Sequence, residues 1–558
     1  MTRRTFSLIL IAATVGVTPM LVFGYPKGHD LSFHVSLWME AEHQFHQGNL
    51  FPRWAESANY GFGDPRFIFY PPLSWLTGAI LGLILPWKIV PGTYVFLAFV
   101  LAGIAMWKLA SEWLPPENAL LASLLYALSP YSMVTAYRRG AYAELLAGAL
   151  FPFAYWATLR MERDPRRAVF PLAVVFAAIW LTNFPAGVIA SYSLACLLLV
   201  DCLVSWSLRS LWFGAASILT GTGITAFVLL PAASERKWVN INAVLAPIYL
   251  PWNNFLFGRN NILLMQGFNR KVSFLGLCLI GITLAAAIFT RRLRRSAPEV
   301  WWPLIALSTL ATLLMCPPSR IFWERLPQLR FVQFPWRWIL SLCTVGTFLA
   351  AAVISEARRK WIPGLALILV FGAIDVGIAY TSEWDSNIVK NTADSIRSGA
   401  GYKGPAEYTP LGAQIAHLPT HAPLLTVIRD SDEIDNSSPL NSSFRIDLRT
   451  TERKVIYLDS AKPLAVNLKL LAYPSWLVKV NGIAVNLETD RDTGQIRLRL
   501  PAGSSRSEIV FVRTWDRTTG IGISLVSVVA LVIGGTFVKR RSVSQTRTRG
   551  IEMNAARQ

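Results

Sequence analysis

Residues 5–23, TFSLILIAATVGVTPMLVF, decide the class of fold. The stretch has no charged residue and follows Arg3 and Arg4. Because about 20 apolar residues in a helix cross a hydrocarbon core of about 30 Å, the stretch predicts a membrane span. The two arginines predict that its start is cytoplasmic. It is longer than the apolar part of a normal signal peptide, and no clear small-x-small site follows, so we expect an uncleaved helix.

The same pattern recurs along most of the chain. Of the 558 residues, 53% are hydrophobic and 15% are charged, which soluble globular proteins of this length do not reach. With the first helix, the apolar stretches predict about twelve transmembrane helices and a polytopic α-helical protein with both termini in the cytoplasm. The further predicted spans are 89–107, 118–134, 141–159, 168–182, 186–205, 211–231, 273–290, 300–316, 336–354, 361–380 and 519–538.

The formal net charge of +20 reflects membrane topology and does not indicate nucleic-acid binding. Basic residues concentrate in short connectors between spans, as the positive-inside rule expects of cytoplasmic segments. The connectors are 3–4, 160–167, 291–295, 358–360 and 539–541. The five cysteines lie in or at the edges of apolar spans and form neither a disulfide framework nor a metal cluster with ligand spacing.

A polar loop from 24 to 72 follows the first span and is predicted to lie outside the cytoplasm. Apolar residues at helical spacing from Leu31 to Phe45 predict a helix along the membrane surface. Asp30 precedes this helix, where its carboxylate could face a substrate or could merely cap the helix. His34 lies one turn later and could orient Asp30, although an interfacial histidine is more often satisfied by water. The next apolar run, 73–85, is short for a crossing.

Residues 381–518 have a different composition and predict an extracytoplasmic β-sandwich. Strands are predicted at 453–458, 464–471, 495–500 and 508–512. Asn481-Gly482 between two apolar stretches predicts a two-residue hairpin. The chain therefore divides into a transmembrane domain (1–380), the β-domain (381–518), and a last helix with a basic cytoplasmic tail (519–558).

Few charges lie within the spans, and each is costly to bury unless it is paired or solvated. Glu144, Asp375 and Arg337 lie toward the predicted outer ends, whereas Asp201 lies toward an inner end. Their grouping favours an outer site, but each could equally be half of an interhelical pair. Arg138 and Arg139 precede Glu144 in another outer segment. Such cations could bind a lipid phosphate specifically or could simply contact head groups.

Several motifs resemble those of known bacterial membrane proteins. The chain resembles the family labelled 6-pyruvoyl-tetrahydropterin-synthase-related and the YfhO-like proteins. Both resemble the GT-C superfamily of multi-spanning glycosyltransferases, which take a sugar from a polyprenyl-phosphate carrier. The motifs are Gly28-His29-Asp30, Asn49 to Trp54, Gly61 to Pro65, Phe69 to Leu73, Arg139 to Glu144, Gln333 to Arg337, and Tyr473 to Trp476 with Asn481-Gly482.

The resemblance implies a membrane glycosyltransferase with Asp30 as general base. Arg53, Arg138, Arg139 and Arg337 become candidates for contact with the donor phosphate, with Glu144 orienting one of them and His34 assisting Asp30. The implied partners are a polyprenyl-phosphate sugar donor, membrane lipids and an unidentified glycan, lipid or protein acceptor. No cofactor is expected, because the paired-acid motif that would point to a metal-dependent member is lacking; a divalent metal stays an open alternative.

Two other functions stay open. A lipid or polysaccharide transporter or flippase is disfavoured because the spans lack midplane charges and because a single break, at 183–185, interrupts the apolar helices. A non-catalytic envelope-assembly protein would use the β-domain to bind polysaccharide.

Overall fold

The computed structural model describes residues 1–260, 262–356, 361–428 and 444–534. The described part is mostly helical, with a β-sheet region near its C-terminal end. The predicted basic connectors at 358–360 and 539–541, and the end of the last predicted span at 535–538, lie outside the described residues.

The α-helices account for most of the described chain up to residue 397. They are α1 (Arg3–Phe23), α2 (Leu31–His46), α3 (Ala58–Gly61), α4 (Arg66–Phe69), α5 (Pro72–Ile84), α6 (Val90–Ala110), α7 (Pro116–Ala127), α8 (Pro130–Met133), α9 (Tyr142–Gly148), α10 (Phe151–Leu159), α11 (Pro165–Thr182), α12 (Phe184–Ser205), α13 (Arg209–Ile224), α14 (Ala226–Glu235), α15 (Leu263–Phe289), α16 (Arg291–Ser296), α17 (Pro298–Leu314), α18 (Arg320–Arg325), α19 (Ile339–Glu356), α20 (Trp361–Tyr380) and α21 (Ile388–Arg397).

The protein is a multi-pass membrane protein. Among the described residues, nine helical segments are long and apolar enough to cross a membrane, or up to eleven if two bent helix pairs each count as one span. The predicted count of twelve is not confirmed. The predicted span 141–159 consists of α9 and α10, interrupted near Ala149. Pro152 cannot donate a backbone hydrogen bond there, and the carbonyl of Gly148 accepts one from the Tyr126 hydroxyl at 2.7 Å.

The helix breaks are more numerous than the sequence predicts. The predicted break falls at Asn183, between α11 and α12, where the asparagine side chain accepts the backbone N–H of Ala186 at 2.9 Å. In addition, α13 and α14 meet at 68°, and α17 is followed at 92° by the segment that contains α18. Pro317 and Pro318 lie at the second bend, where neither can donate a helical hydrogen bond.

Helix α2 is more deeply packed than a helix on a membrane surface. Most of its predicted apolar face is buried, but so are His34, Ser36, Glu40 and Gln44 on its other faces. The helix packs against both α5 and α21. Other parts of the protein therefore cover most of α2, which the prediction of a surface helix did not include. Helix α5 has 13 residues and is shorter than a normal span, as predicted.

Two antiparallel sheets form the C-terminal region, and their apolar faces share one core. The four-stranded sheet has the order β3-β6-β10-β9 and the five-stranded sheet β4-β5-β11-β7-β8. The Asn481-Gly482 hairpin is confirmed: Val480 pairs with Ile483, and both turn residues have positive φ. The strands are β1 (Tyr25–Pro26), β2 (Trp384–Asp385), β3 (Leu425–Ile428), β4 (Phe444–Arg449), β5 (Arg453–Ser460), β6 (Leu464–Leu471), β7 (Trp476–Val480), β8 (Ile483–Val485), β9 (Glu488–Thr489), β10 (Gln495–Leu500) and β11 (Gly503–Phe511).

The loop 24–72 and the β region share a hydrophobic core. Trp54 is fully buried, with its ring centroid 5.3 Å from that of Trp476 and 5.9 Å from that of Phe511. The backbone N–H of Leu471 donates to the carbonyl of Phe62 at 3.0 Å. The strands β1 and β2 also pair. The β region is therefore fixed directly over the loop that contains Asp30.

Candidate active site

Two glycine-containing segments from distant parts of the chain pack directly against each other beside Asp30. A Cβ on Gly28 would lie 2.5 Å from the carbonyl carbon of Arg139. Gly140 has a φ of 63°, in the left-handed region, and a Cβ there would lie 2.9 Å from the Cβ of Leu31. Both positions therefore favour glycine. The contact places the Gly28-His29-Asp30 and Arg139-to-Glu144 motifs side by side.

Asp30 occupies the N-cap position of α2, but its side chain accepts no capping hydrogen bond. The side chain is half-buried. Its carboxylate interacts electrostatically with the buried guanidinium groups of Arg139 and Arg337. Because the carboxylate is not used for capping, the alternative in which Asp30 merely stabilises the start of a helix is not supported.

Glu144 links the two buried arginines. Arg139 donates two hydrogen bonds to its carboxylate, at 2.6 and 2.7 Å. The Nε of Arg337 lies 3.0 Å from Oε2 of Glu144, an ion pair without hydrogen-bond geometry. The Tyr131 hydroxyl donates to Oε1 at 2.7 Å. Bidentate pairing fixes the orientation of the Arg139 guanidinium plane.

The two guanidinium groups also lie over aromatic rings. Arg139 is 4.8 Å from the ring centroid of Trp336, and Arg337 is 5.0 Å from that of Phe334. These rings stack on each other with centroids 4.9 Å apart. Two cations and the single carboxylate of Glu144 leave one positive charge in buried surroundings. Such a charge favours an anion close by, and the carboxylate of Asp30 is near enough to interact with both arginines.

Two aromatic residues and one acidic residue that the sequence analysis did not single out complete the surroundings of Asp30. Its charge acts on Tyr249, Glu407 and Tyr408, which come from two segments far apart in the chain. Burial raises the pKa of Glu407 and raises the pKa of Tyr408 well above its usual value. The Tyr408 hydroxyl is therefore neutral and can donate a hydrogen bond. No local motif marks these residues, because the folding of the chain alone brings them near Asp30.

Phe33 joins Tyr70 and Tyr408 into one aromatic wall. Its ring centroid is 4.9 Å from that of Tyr70 and 6.4 Å from that of Tyr408. Arg66 lies over the Phe33 ring at 5.5 Å and forms a fully buried ion pair with Asp64 at 2.6 Å. Planar rings in this arrangement suit the apolar face of a sugar or an isoprenoid chain.

His34 does not orient Asp30. No hydrogen bond joins its ring to Asp30 within the described residues, and its buried Nδ1 has no hydrogen-bond partner there. The ring instead stacks on Tyr142, with centroids 5.9 Å apart and an interplanar angle of 6°. Burial lowers the pKa of His34 from 6.5 to about 4. The residue is neutral at physiological pH and supports the site by packing.

Two of the four predicted phosphate ligands lie apart from the cluster. Arg53 donates to Glu452 of the β region through its backbone N–H at 2.8 Å and through its guanidinium group. Arg138, unlike its neighbour Arg139, donates to the Thr381 hydroxyl. Asp375 is buried, and one of its carboxylate oxygens has no hydrogen-bond partner within the described residues. The structure therefore brings together Asp30, Arg139, Glu144 and Arg337.

A second buried carboxylate supports the loop. Glu40 accepts the backbone N–H of Ser57 at 2.6 Å and that of Glu56 at 3.2 Å. Burial raises its pKa from 4.5 to about 7 against the opposing charge of Arg66. The Tyr402 hydroxyl donates to it at 3.3 Å.

Within the described residues, no three His, Cys, Asp or Glu side chains are grouped so that they could hold a metal ion.

No family model matches the chain, so neither family named by resemblance is confirmed. A curated protein of Lactococcus lactis, described as uncharacterized, is 23% identical over 278 residues. This alignment covers 47% of the present chain and 44% of the Lactococcus protein. The chain therefore spans less than half of that relative.

Two groups of solved structures show distant likeness. The arabinofuranosyltransferase AftD from Mycobacteria aligns over 70% of this chain and 27% of its own, with 16% identity and a TM-score of 0.42. The oligosaccharyltransferase of Archaeoglobus fulgidus aligns over 73% of this chain and 56% of its own, with 13% identity and a TM-score of 0.41. Likeness at this level assigns neither a fold nor an activity.

Proposed function

We propose that the protein transfers a sugar from a polyprenyl-phosphate carrier to a cell-envelope acceptor. The observation that carries the proposal is the uncommitted carboxylate of Asp30 facing two buried arginines that share Glu144. This arrangement offers a base and an anion site next to each other. The resemblance of the surrounding motifs to GT-C glycosyltransferases supports the same reaction class.

The site lies on the extracytoplasmic face of a bacterial cytoplasmic membrane in this proposal, with both termini inside. The basic connectors at 160–167 and 291–295 support this orientation. The transmembrane domain would comprise residues 1–380, the β-domain 381–518, and the last helix and tail 519–558. A donor that diffuses in the membrane could then enter the site laterally.

In the reaction, Asp30 takes the proton of an acceptor hydroxyl. The hydroxyl oxygen forms a bond to the anomeric carbon, while the bond from that carbon to the phosphate oxygen breaks. The electron pair leaves with the polyprenyl phosphate, which gains one negative charge. Preorganised cations are effective where charge develops in this way, so Arg139 and Arg337 would stabilise the leaving group. Glu144 would be a positioning residue for both arginines.

The aromatic wall would bind the sugar or the first isoprene units of the donor. Phe33, Tyr70 and Tyr408 present rings beside Asp30. Glu407 would accept hydrogen bonds from hydroxyl groups of the sugar or the acceptor. These contacts would orient the acceptor hydroxyl toward the base. Such orientation contributes to the reaction rate as much as proton transfer does.

The direct test supplies membranes that contain the full chain with labelled polyprenyl-phosphate sugars and measures transfer. We expect Asp30→Asn to reduce transfer by about 10² to 10⁴-fold, the usual effect of losing a general base. The Asp30 side chain makes no capping bond, but its charge opposes that of the two arginines, so thermal unfolding in detergent checks that the variant is folded. Glu42→Gln, on the same helix and paired with the exposed His46, is the matched control. Unchanged transfer in folded Asp30→Asn protein would refute the proposed base.

A lipid or polysaccharide transporter is the second candidate, and the two bent helix pairs favour it. Interrupted helices in pairs are typical of secondary transporters. The same assay distinguishes the functions: movement of labelled sugar across the bilayer without a new glycosidic bond would support transport. If the protein neither transfers nor moves the labelled sugar, the envelope-assembly role is the function that is left.

A further inference from the structure

A cavity of about 310 Å³ lies away from the Asp30 cluster, where the loop 24–72, helix α14 and the last span meet. Its walls are mainly apolar. They include Phe51 and Phe67 from the loop, Phe227 and Val228 from α14, and Ile521 from the span. The volume is at the lower end of the range for ligand pockets, and suits a head group with the first part of a chain.

Three arginines also line this cavity: Arg53, Arg513 and Arg517. Arg517 is neutralised by Glu235 through hydrogen bonds from Nε and Nη2, both 2.8 Å long. Arg53 is neutralised by Glu452. Arg513 is exposed, and within the described residues no carboxylate lies at ion-pair distance from it. Arg513 is therefore the one lining arginine without an ion-pair partner within the described residues, and it lies beside an apolar wall.

The cavity lies at the start of the last candidate membrane span. Ile521 belongs to the candidate span Trp515–Gly534, whereas Arg513 lies just before that span begins. Phe227 and Val228 belong to the bent pair of apolar helices α13 and α14. The charged lining residue Arg513 therefore lies where a lipid head group would lie, before the span begins. The apolar lining residue Ile521 lies within the span, at the depth of the lipid chains.

We propose that this cavity binds a phosphate-bearing membrane lipid, distinct from the sugar donor. Its phosphate would pair with Arg513, next to Arg53, and its chain would lie along Phe227 and Ile521. A soluble phosphate compound would leave the apolar wall uncovered, whereas a neutral lipid would leave Arg513 without a counter-ion. The combination of one free cation with an apolar wall fits an anionic lipid.

The test measures lipid retained by the purified full chain in detergent, using native mass spectrometry. Two probes differ in the phosphate alone: dioleoyl phosphatidic acid and dioleoyl glycerol. We expect the parent to retain the phosphatidic acid in preference. Arg513→Gln should lower its retention about fivefold, the contribution of one cation near anionic lipid. Ile521→Trp, which fills the cavity, should lower the retention of both lipids.

The control is Arg491→Gln, which removes an exposed arginine of the β region that does not line the cavity. It should retain lipid as the parent does. Thermal unfolding checks that each variant is folded. Parent-like retention by Arg513→Gln, an equal loss in Arg491→Gln, or equal binding of the two lipids by the parent would each overturn the proposal.

Discussion

The backbone N–H of Asp30 donates to the carbonyl oxygen of Arg139 at 2.8 Å. The proposed base and a proposed phosphate ligand are therefore connected by the main chain and not only through side chains. Their spacing depends on the two glycines that allow the segments to approach. Catalysis should accordingly be sensitive to changes that leave every proposed catalytic side chain in place.

Gly28→Ala should reduce sugar transfer by about 100-fold, the effect of a misplacement of about 1 Å in an active site. The added Cβ would collide with the backbone of Arg139 and displace Asp30. Gly92→Ala is the control, because a Cβ there meets nothing within 4 Å. The measurement is the transfer rate of each folded variant. Parent-like transfer by Gly28→Ala would show that the contact does not set the geometry.

Glu144→Gln should destabilise the protein by about 3 to 5 kcal/mol, since it leaves two buried guanidinium groups without their counter-ion. Thermal or denaturant unfolding in detergent measures the change. Glu324→Gln breaks an exposed pair with Arg320 and should change stability by less than about 1 kcal/mol. Equal effects in the two variants would mean that Glu144 does not hold the arginines.

Arg53→Gln should weaken the attachment of the loop 24–72 to the β region, without raising the KM for the donor. Losing the hydrogen bonds from the guanidinium group to Glu452 should cost about 1.5 to 3 kcal/mol of unfolding free energy. Arg445→Gln, whose side chain is 73% exposed, is the control. A large increase in donor KM with unchanged stability would indicate that Arg53 binds the donor.

Stability should fall between about pH 4.5 and pH 7 through Glu40. Its folded-state pKa is raised from 4.5 to about 7, so in this window the unfolded chain loses a proton that the folded protein keeps. The penalty is absent at lower pH, where both states are protonated, and is complete above pH 7. Glu40→Gln should remove this contribution. The measurement is the difference in unfolding midpoint between parent and variant across the window, and a constant difference would contradict the assignment.

Features that depend on local sequence could be predicted. Apolar length indicates most membrane helices, and Asn481-Gly482 indicates a hairpin because few residues adopt its left-handed conformation. Apolar length wrongly predicted one continuous helix at 141–159, since Pro152 interrupts this largely apolar stretch. The burial of α2 was also missed, because its partner α21 lies more than 300 residues later.

The candidate site was predictable where a motif contains the residue and its neighbours. Asp30, Arg139, Glu144 and Arg337 lie in such motifs. Arg53 also lies in one, yet its partner is Glu452, and no local signal distinguishes it from Arg139. Glu407 and Tyr408 had no motif at all. Their position depends on the β region folding back over the loop, which is a property of tertiary packing.

The shared core of Trp54 and Trp476 also imposes an order on biosynthesis. The two tryptophans are 422 residues apart in the sequence. At about 5 to 20 residues per second, roughly 20 to 80 seconds separate their synthesis. In the proposed topology, the loop would lie on the extracytoplasmic side during that interval, with Trp54 and its apolar neighbours uncovered. The nascent chain would therefore need a holding factor, or transient burial of the loop in lipid, until the last strands arrive.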